Sequence, residues 1–319
     1  MALGDIHVAV GVIQDREGRV LLAQRPTGKH LAGYWEFPGG KLEPEESVST
    51  ALTRELLEEL GIVVDVARPL IRLPHAYPEK RVLLDVWTVI RYHGQPRGRE
   101  GQRLAWVAPA DLKRWQLPSA NEPIVRALDL PDHYLVTPDM ACDIGGLERG
   151  LIQALDRGTR LIQLRLPSAT EQSLKTFAAR CLPICHAAGA RVLLNGDSVQ
   201  AEALGFDGVH LNAARLRAYR PESRPAGREF LVAASCHDHE QLALAQEMRL
   251  DFVVLGSVCN TRSHPEGPTL GWDQFRILTD RTTIPVYAIG GMKHEDLDTA
   301  RGAGAQGIAA IRGLWRGEH

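Results

Sequence analysis

The sequence predicts two α/β domains, and three observations carry that prediction. The chain is 319 residues long, and at roughly 100–200 residues per domain this length accommodates about two hydrophobic cores. The hydrophobic pattern changes near Asp129, Leu130, Pro131 and Asp132, where a boundary is expected. Beyond it, short apolar strands alternate with Ala-rich helical stretches, the pattern of a (β/α)8 TIM barrel. Residues 1–131 are therefore read as one domain and residues 132–319 as the other.

In the first domain His7 to Gln14 and Arg19 to Gln24 are β-rich, and Asp15, Arg16, Glu17 and Gly18 between them read as a hairpin turn. From Glu45 to Leu60 the residues Val48, Ala51, Leu52, Leu56 and Leu60 recur at helical spacing, and Gly61 stands where a helix stops. Arg81 to Tyr92 is a further β-rich run, the loop His93 to Arg103 follows, and Glu122 to Leu128 is a predicted helix. In the second domain strands begin at Tyr134, Leu161, Arg191, Asp207, Phe230, Asp251, Pro285 and Gly307. Eight such strands with helical crossovers are what barrel closure requires.

Lys and Arg number 37 against 39 Asp and Glu, a net charge of −2. That balance argues against direct binding of duplex nucleic acid, which needs a basic surplus. No apolar run approaches the roughly 20 residues that span a bilayer, and the start lacks the features of a secretory signal. No membrane association is expected, and a cytoplasmic location is. The five cysteines form no CxxC pair and are expected to be reduced and mostly buried.

The most informative stretch is Gly39 to Ile62. On a helix Glu55, Glu58 and Glu59 stand at i, i+3 and i+4 and share one face. Like charges this close repel, and a divalent hard cation such as Mg²⁺ relieves the repulsion; the alternative is a solvated acidic face. The full spacing runs Gly40, five residues, Glu46, seven residues, Arg54-Glu55-Leu56, one residue, Glu58-Glu59, one residue, Gly61-Ile62. This matches the Nudix box, and the first domain resembles the Nudix hydrolases, which cleave a nucleoside diphosphate joined to a further group. The resemblance implies a mixed sheet sandwiched by helices. It further implies Mg²⁺, with Mn²⁺ as a substitute, held by Glu55, Glu58, Glu59 and the main-chain carbonyl of Gly39. Arg54 would fix the catalytic carboxylates, and Glu46 would brace the loop.

The segments Gln24-Arg25, His30, Trp35 to Lys41, Arg99 to Gln102, Trp106 and Pro118 to Pro123 tighten the resemblance to the MutT-type 8-oxo-dGTP diphosphatases. It implies that Arg25 and His30 contact the nucleotide, that Phe37 lines the base pocket beside Glu36, Pro38 and Gly39, and that Asn121 reads the base edge. Oxidation turns one ring nitrogen of guanine from acceptor to donor, and an amide can accept from it while donating to the neighbouring carbonyl. A helix cap or turn is the other reading of Asn121. Glu100 matches the family's loop carboxylate, which completes the metal site or acts as general base; an exposed loop charge is its alternative. The expected reaction is attack of water on the β-phosphorus, giving a nucleoside monophosphate and pyrophosphate. Another nucleotide or a thiamine-related pyrophosphate is the rival substrate, and a nucleotide-sensing module the rival class.

The second domain resembles the thiamine phosphate synthase and TenI-like barrels through Tyr134 to Thr137, Gln163 to Arg165, Asp207 to Leu211, Ser235 to His237, Gly256 to Val258 with Thr261, and Ala288 to Gly291. The resemblance implies a ligand site of Gln163, Arg165, Asn195, His237, Gly290 and Gly291 for a phosphorylated thiazole or pyrimidine. Departures accompany the matches. Where the synthases carry metal-binding aspartates, this chain has Gly196 and the carboxylate-free Ala214-Arg215, and His264 replaces a Lys. A thiazole phosphate tautomerase using His237 as acid and base, a retained synthase, and a binding or scaffolding barrel all remain open.

Overall fold

The computed structural model describes residues 6–28, 31–77, 80–140, 143–226, 229–260 and 268–315. His30, Cys142, Thr261 and His264 lie outside the described residues. The chain divides into two compact units, Met1–Asp129 and Leu130–His319.

The first unit runs β1 (Ile6–Ile13), β2 (Val20–Gln24), β3 (Trp35–Glu36), β4 (Gly39–Lys41), α1 (Val48–Leu60), β5 (Val63–Tyr77), β6 (Lys80–His93), β7 (Leu104–Val107) and α2 (Glu122–Asp129). A four-stranded mixed sheet has the order β4-β1-β6-β5, with β1 and β6 parallel, and β3-β2-β7 form a smaller antiparallel sheet. Side chains of β1 alternate between two cores. Ala9 and Ile13 pack with Leu52, Leu56 and Leu60 of α1, while Val10 and Val12 share a core with Phe37, Val86 and the α2 residues Ile124 and Val125. The helices therefore cover opposite faces of the sheet, as the sequence predicts.

Three details differ from the sequence reading. The turn at Asp15 joins strands of two different sheets, bridged only at Gln14 and Val20, so it does not close a regular hairpin. Helix α1 starts at Val48 instead of Glu45: Glu45 takes a left-handed φ of 63°, and the Ser47 hydroxyl caps the helix by accepting from Thr50 N at 3.2 Å. The long strand β5 carries Pro69 and Pro74, residues that argue against a strand. It tolerates them because it lies at the sheet edge and is irregular in register between Val64 and Ile71.

The second unit runs β8 (His133–Val136), α3 (Ile144–Asp156), β9 (Leu161–Leu164), α4 (Glu171–Ala187), β10 (Arg191–Asn195), α5 (Ser198–Ala203), β11 (Gly208–Leu211), α6 (Ala213–Ala218), β12 (Leu231–Cys236), α7 (His239–Glu247), β13 (Phe252–Leu255), α8 (Gly271–Thr279), β14 (Val286–Ile289), α9 (Leu297–Gly302), β15 (Gly307–Ala310) and α10 (Arg312–Trp315). All eight predicted strands are present and close a parallel barrel from β8 round to β15. Tyr134, Phe252 and Tyr287 fill its interior, with ring centroids 5.1 to 5.7 Å apart. Cys181, Cys185 and Cys236 are buried and free, and burial pushes their thiols up to about 11, 12 and 12. Cys259 is exposed, in the loop after β13. Among the described residues no helix is long and apolar enough to cross a membrane.

His210 on β11 is fully buried, bonded through Nδ1 to the Tyr134 hydroxyl at 3.1 Å and through Nε2 to Ser235 Oγ at 2.9 Å. Burial pushes its pKa down from 6.5 to about 3. The imidazole thus stays neutral in the fold over a range where the unfolded chain takes up a proton. Stability from this group is flat above pH 6.5 and falls as pH drops toward 3, by at most about 1.4 kcal/mol per pH unit. Melting temperatures between pH 7.5 and 4.5 should therefore decline less steeply in His210→Gln than in the parent, and an identical decline would refute this source of acid sensitivity.

Candidate active site

The Nudix-like stretch folds as β4, a loop and α1. Gly39 and Gly40 pair with Val10 and Ala9 of β1, and both positions are closed to larger residues. A Cβ on Gly39 would stand 2.1 Å from Ala9 O, and one on Gly40 2.2 Å from the Glu55 carboxyl carbon. Gly40 therefore leaves the Glu55 carboxylate room against the backbone.

Arg54 organises the loop. It grips Glu46 through Nε and Nη2 at 3.0 and 2.9 Å, donates to Lys41 O at 3.0 Å, and reaches Glu55 Oε1 through Nη1 at 2.8 Å. Glu58 Oε2 is 3.5 Å from the same Nη1, with its side chain 60% exposed. The hydrogen bonds to Glu46 and Glu55 raise the Arg54 pKa, and Arg54 in turn lowers that of Glu46. Glu46 also accepts from Glu43 N at 3.0 Å, closing the turn ahead of α1. Its bracing role is thus visible directly.

Glu59 is half-buried. Gly39 N–H donates to its Oε2 at 3.3 Å, yet burial pushes its pKa up to about 7, with added repulsion from Glu100, Glu55 and Glu36. Glu100 reaches this neighbourhood because its loop docks on the end of α1: Arg99 N donates to Glu59 O at 2.9 Å, Arg99 Nη1 to Leu57 O at 3.1 Å and Gln102 Nε2 to Glu59 O at 3.1 Å. Among the described residues no three His, Cys, Asp or Glu side chains form a ready-made metal cage. The structure instead gathers hard oxygen donors whose mutual repulsion a divalent cation would relieve, beside a glycine that keeps the space clear. The donor set fits such an ion.

Around the nucleotide-side residues, Arg25 forms an ion pair with Glu36, and Arg25 N donates to Tyr34 O at 2.8 Å. Phe37 is buried in the α2-side core, and Pro38 O accepts from Gly11 N at 2.8 Å. Asn121 ends a 3₁₀ turn begun at Ser119, just before α2. It is buried, and its Nδ2 has no hydrogen-bond partner among the described residues. A buried amide donor left unpaired costs free energy unless a ligand completes it.

In the barrel, a cavity of about 630 Å³ opens where Asn195 ends β10 and Arg165, Gly196, Asn212 and His237 follow the ends of β9 to β12, the end of this fold that carries active sites. Arg165, Asn195 and His237 line it, as expected. Gln163 lies beneath, accepting from Asn195 Nδ2 at 2.9 Å and donating to the Tyr134 hydroxyl at 3.3 Å. Gly290 and Gly291, with φ of 107° and 73°, follow β14 outside this lining, packed against Ser257 and Asn260. His237 Nδ1 bonds to Gly256 O at 2.6 Å, which assigns the proton to that nitrogen. Asp197 does not compensate for Gly196, since its Oδ1 caps α5 by accepting from Val199 N and Gln200 N. Arg215 and Ser235 also line the cavity. Neither belongs to the expected ligand set, although Ser235 lies in a segment that carries the resemblance and Arg215 stands at a departure from it.

An acidic helix, two close-packed glycines and an organising arginine stand where the first unit resembles the Nudix hydrolases. The NUDIX domain family model matches residues 9–127 and the thiamine monophosphate synthase model residues 133–314, so the chain belongs to both families. An 8-oxo-dGTP diphosphatase of Escherichia coli is 35% identical over 39% of this chain and 95% of its own length. A CTP pyrophosphohydrolase of the same organism is 40% identical over 37% of this chain and 87% of its own. A thiamine-phosphate synthase of Thioalkalivibrio sulfidiphilus is 31% identical over 57% of this chain and 86% of its own.

Proposed function

We propose that the first domain hydrolyses 8-oxo-dGTP to 8-oxo-dGMP and pyrophosphate, clearing an oxidised nucleotide before it enters DNA. The observation that carries this reading is the buried, unpartnered Nδ2 of Asn121. 8-Oxoguanine offers a donor beside an acceptor, the complement of an amide, whereas guanine offers two acceptors there. Glu55, Glu58, Glu59, Glu100 and the Gly39 carbonyl would hold Mg²⁺ (or Mn²⁺ in its place), which would supply neutralisation of phosphate charge for attack of water on the β-phosphorus. Arg54 keeps Glu55 oriented by its 2.8 Å bond, and Phe37 with Asn121 seats the base.

A second reading is favoured by the CTP pyrophosphohydrolase relative, because cytosine also sets an amino donor beside an acceptor. Turnover of 8-oxo-dGTP, dGTP, CTP and thiamine diphosphate with Mg²⁺ separates them. We expect kcat/KM for 8-oxo-dGTP to exceed each of the others by at least about tenfold; CTP as the best substrate would replace the reading.

For the barrel we infer a phosphorylated thiazole or pyrimidine ligand. His237, with its proton held by Gly256 O, presents Nε2 as the acceptor, which suits an acid and base in a tautomerase.

A further inference from the structure

The charges on the barrel cavity wall do not balance. Among the described residues Glu171 is its one carboxylate, and Lys175 pairs with it at 2.6 Å. Arg165 and Arg215 also line the cavity, and neither guanidinium has a hydrogen bond or ion pair among the described residues. Beside them the wall is polar and preorganised. Gln163 donates to the Tyr134 hydroxyl, so that hydroxyl donates to His210 Nδ1 and His210 Nε2 donates to Ser235 Oγ. The Ser235 hydroxyl hydrogen is then free to serve a ligand, while Asn195 is held by Gln163.

We propose that this cavity binds the phosphate or diphosphate of a small organic ligand through Arg165 and Arg215, without a divalent cation. Guanidinium matches phosphate oxygens in pairs and stays charged at every physiological pH. Among the described residues no free carboxylate is left on the wall to hold a cation, since Glu171 is paired and Gly196 brings none. Ser235 supplies an additional donor. The proposal rests on the reading that the barrel takes a phosphorylated ligand, and it adds that recognition is carried by guanidinium and is independent of metal.

The test uses the full chain with inorganic pyrophosphate as probe, in EDTA and in Mg²⁺. Hydrogen exchange of peptides covering 163–167 and 212–216 separates barrel binding from binding at the first domain. We expect protection of these peptides in EDTA, no tightening with Mg²⁺, and affinity at least about tenfold weaker in Arg215→Gln and in Arg165→Gln. Both side chains are exposed, and unchanged melting temperatures will show that the variants fold. Protection only with Mg²⁺, or retained affinity in both variants, would overturn the proposal while leaving a phosphorylated ligand in place. No protection in either condition would overturn both.

Discussion

Glu59→Gln is expected to lower turnover of 8-oxo-dGTP by about 10³-fold while the chain stays folded. Burial pushes the Glu59 carboxyl pKa up, and Glu100, Glu55 and Glu36 repel its charge. An uncharged isostere preserves shape and can still accept from Gly39 N–H, so melting temperature should hold or rise. The loss belongs to catalysis, and titration with Mn²⁺ should show weaker metal binding in the variant. Parental turnover in a folded Glu59→Gln protein would remove the carboxylate cluster from the mechanism.

Asn121→Ala is expected to reduce the preference for 8-oxo-dGTP over dGTP by about 10- to 100-fold, chiefly through kcat/KM for the oxidised nucleotide. The sign of the stability change discriminates between roles. The Asn121 Nδ2 is buried without a partner among the described residues, so truncation removes an uncompensated donor and melting temperature should stay level or increase. A capping residue would instead cost about 1 kcal/mol when truncated. Unchanged selectivity together with a lowered melting temperature would return Asn121 to a purely structural role.

The barrel was legible because parallel strands covered on both faces read as short continuous apolar runs, and each of the eight lies where its run does. The carboxylate helix was legible because Glu55, Glu58 and Glu59 are fixed by local spacing. Other features depend on distant residues. The β5 strand was hidden by Pro69 and Pro74, whose tolerance comes from its place at the sheet edge. The pairing of Arg25 with Glu36 and the docking of the Arg99 loop on α1 join separate segments, and no local pattern announces them. Arg215 gains meaning only once Arg165 shares its cavity and Lys175 has neutralised Glu171.

The same two prolines on β5 have a further effect. Neither has an N–H to offer, so any foreign strand laid along that border would lose rungs of its ladder at Pro69 and Pro74, and the register shifts between Val64 and Ile71 would twist it out of alignment. A 15-residue strand rich in Val, Ile and Leu would otherwise template self-association. Here the margin of the sheet protects the protein from sticking to its own copies.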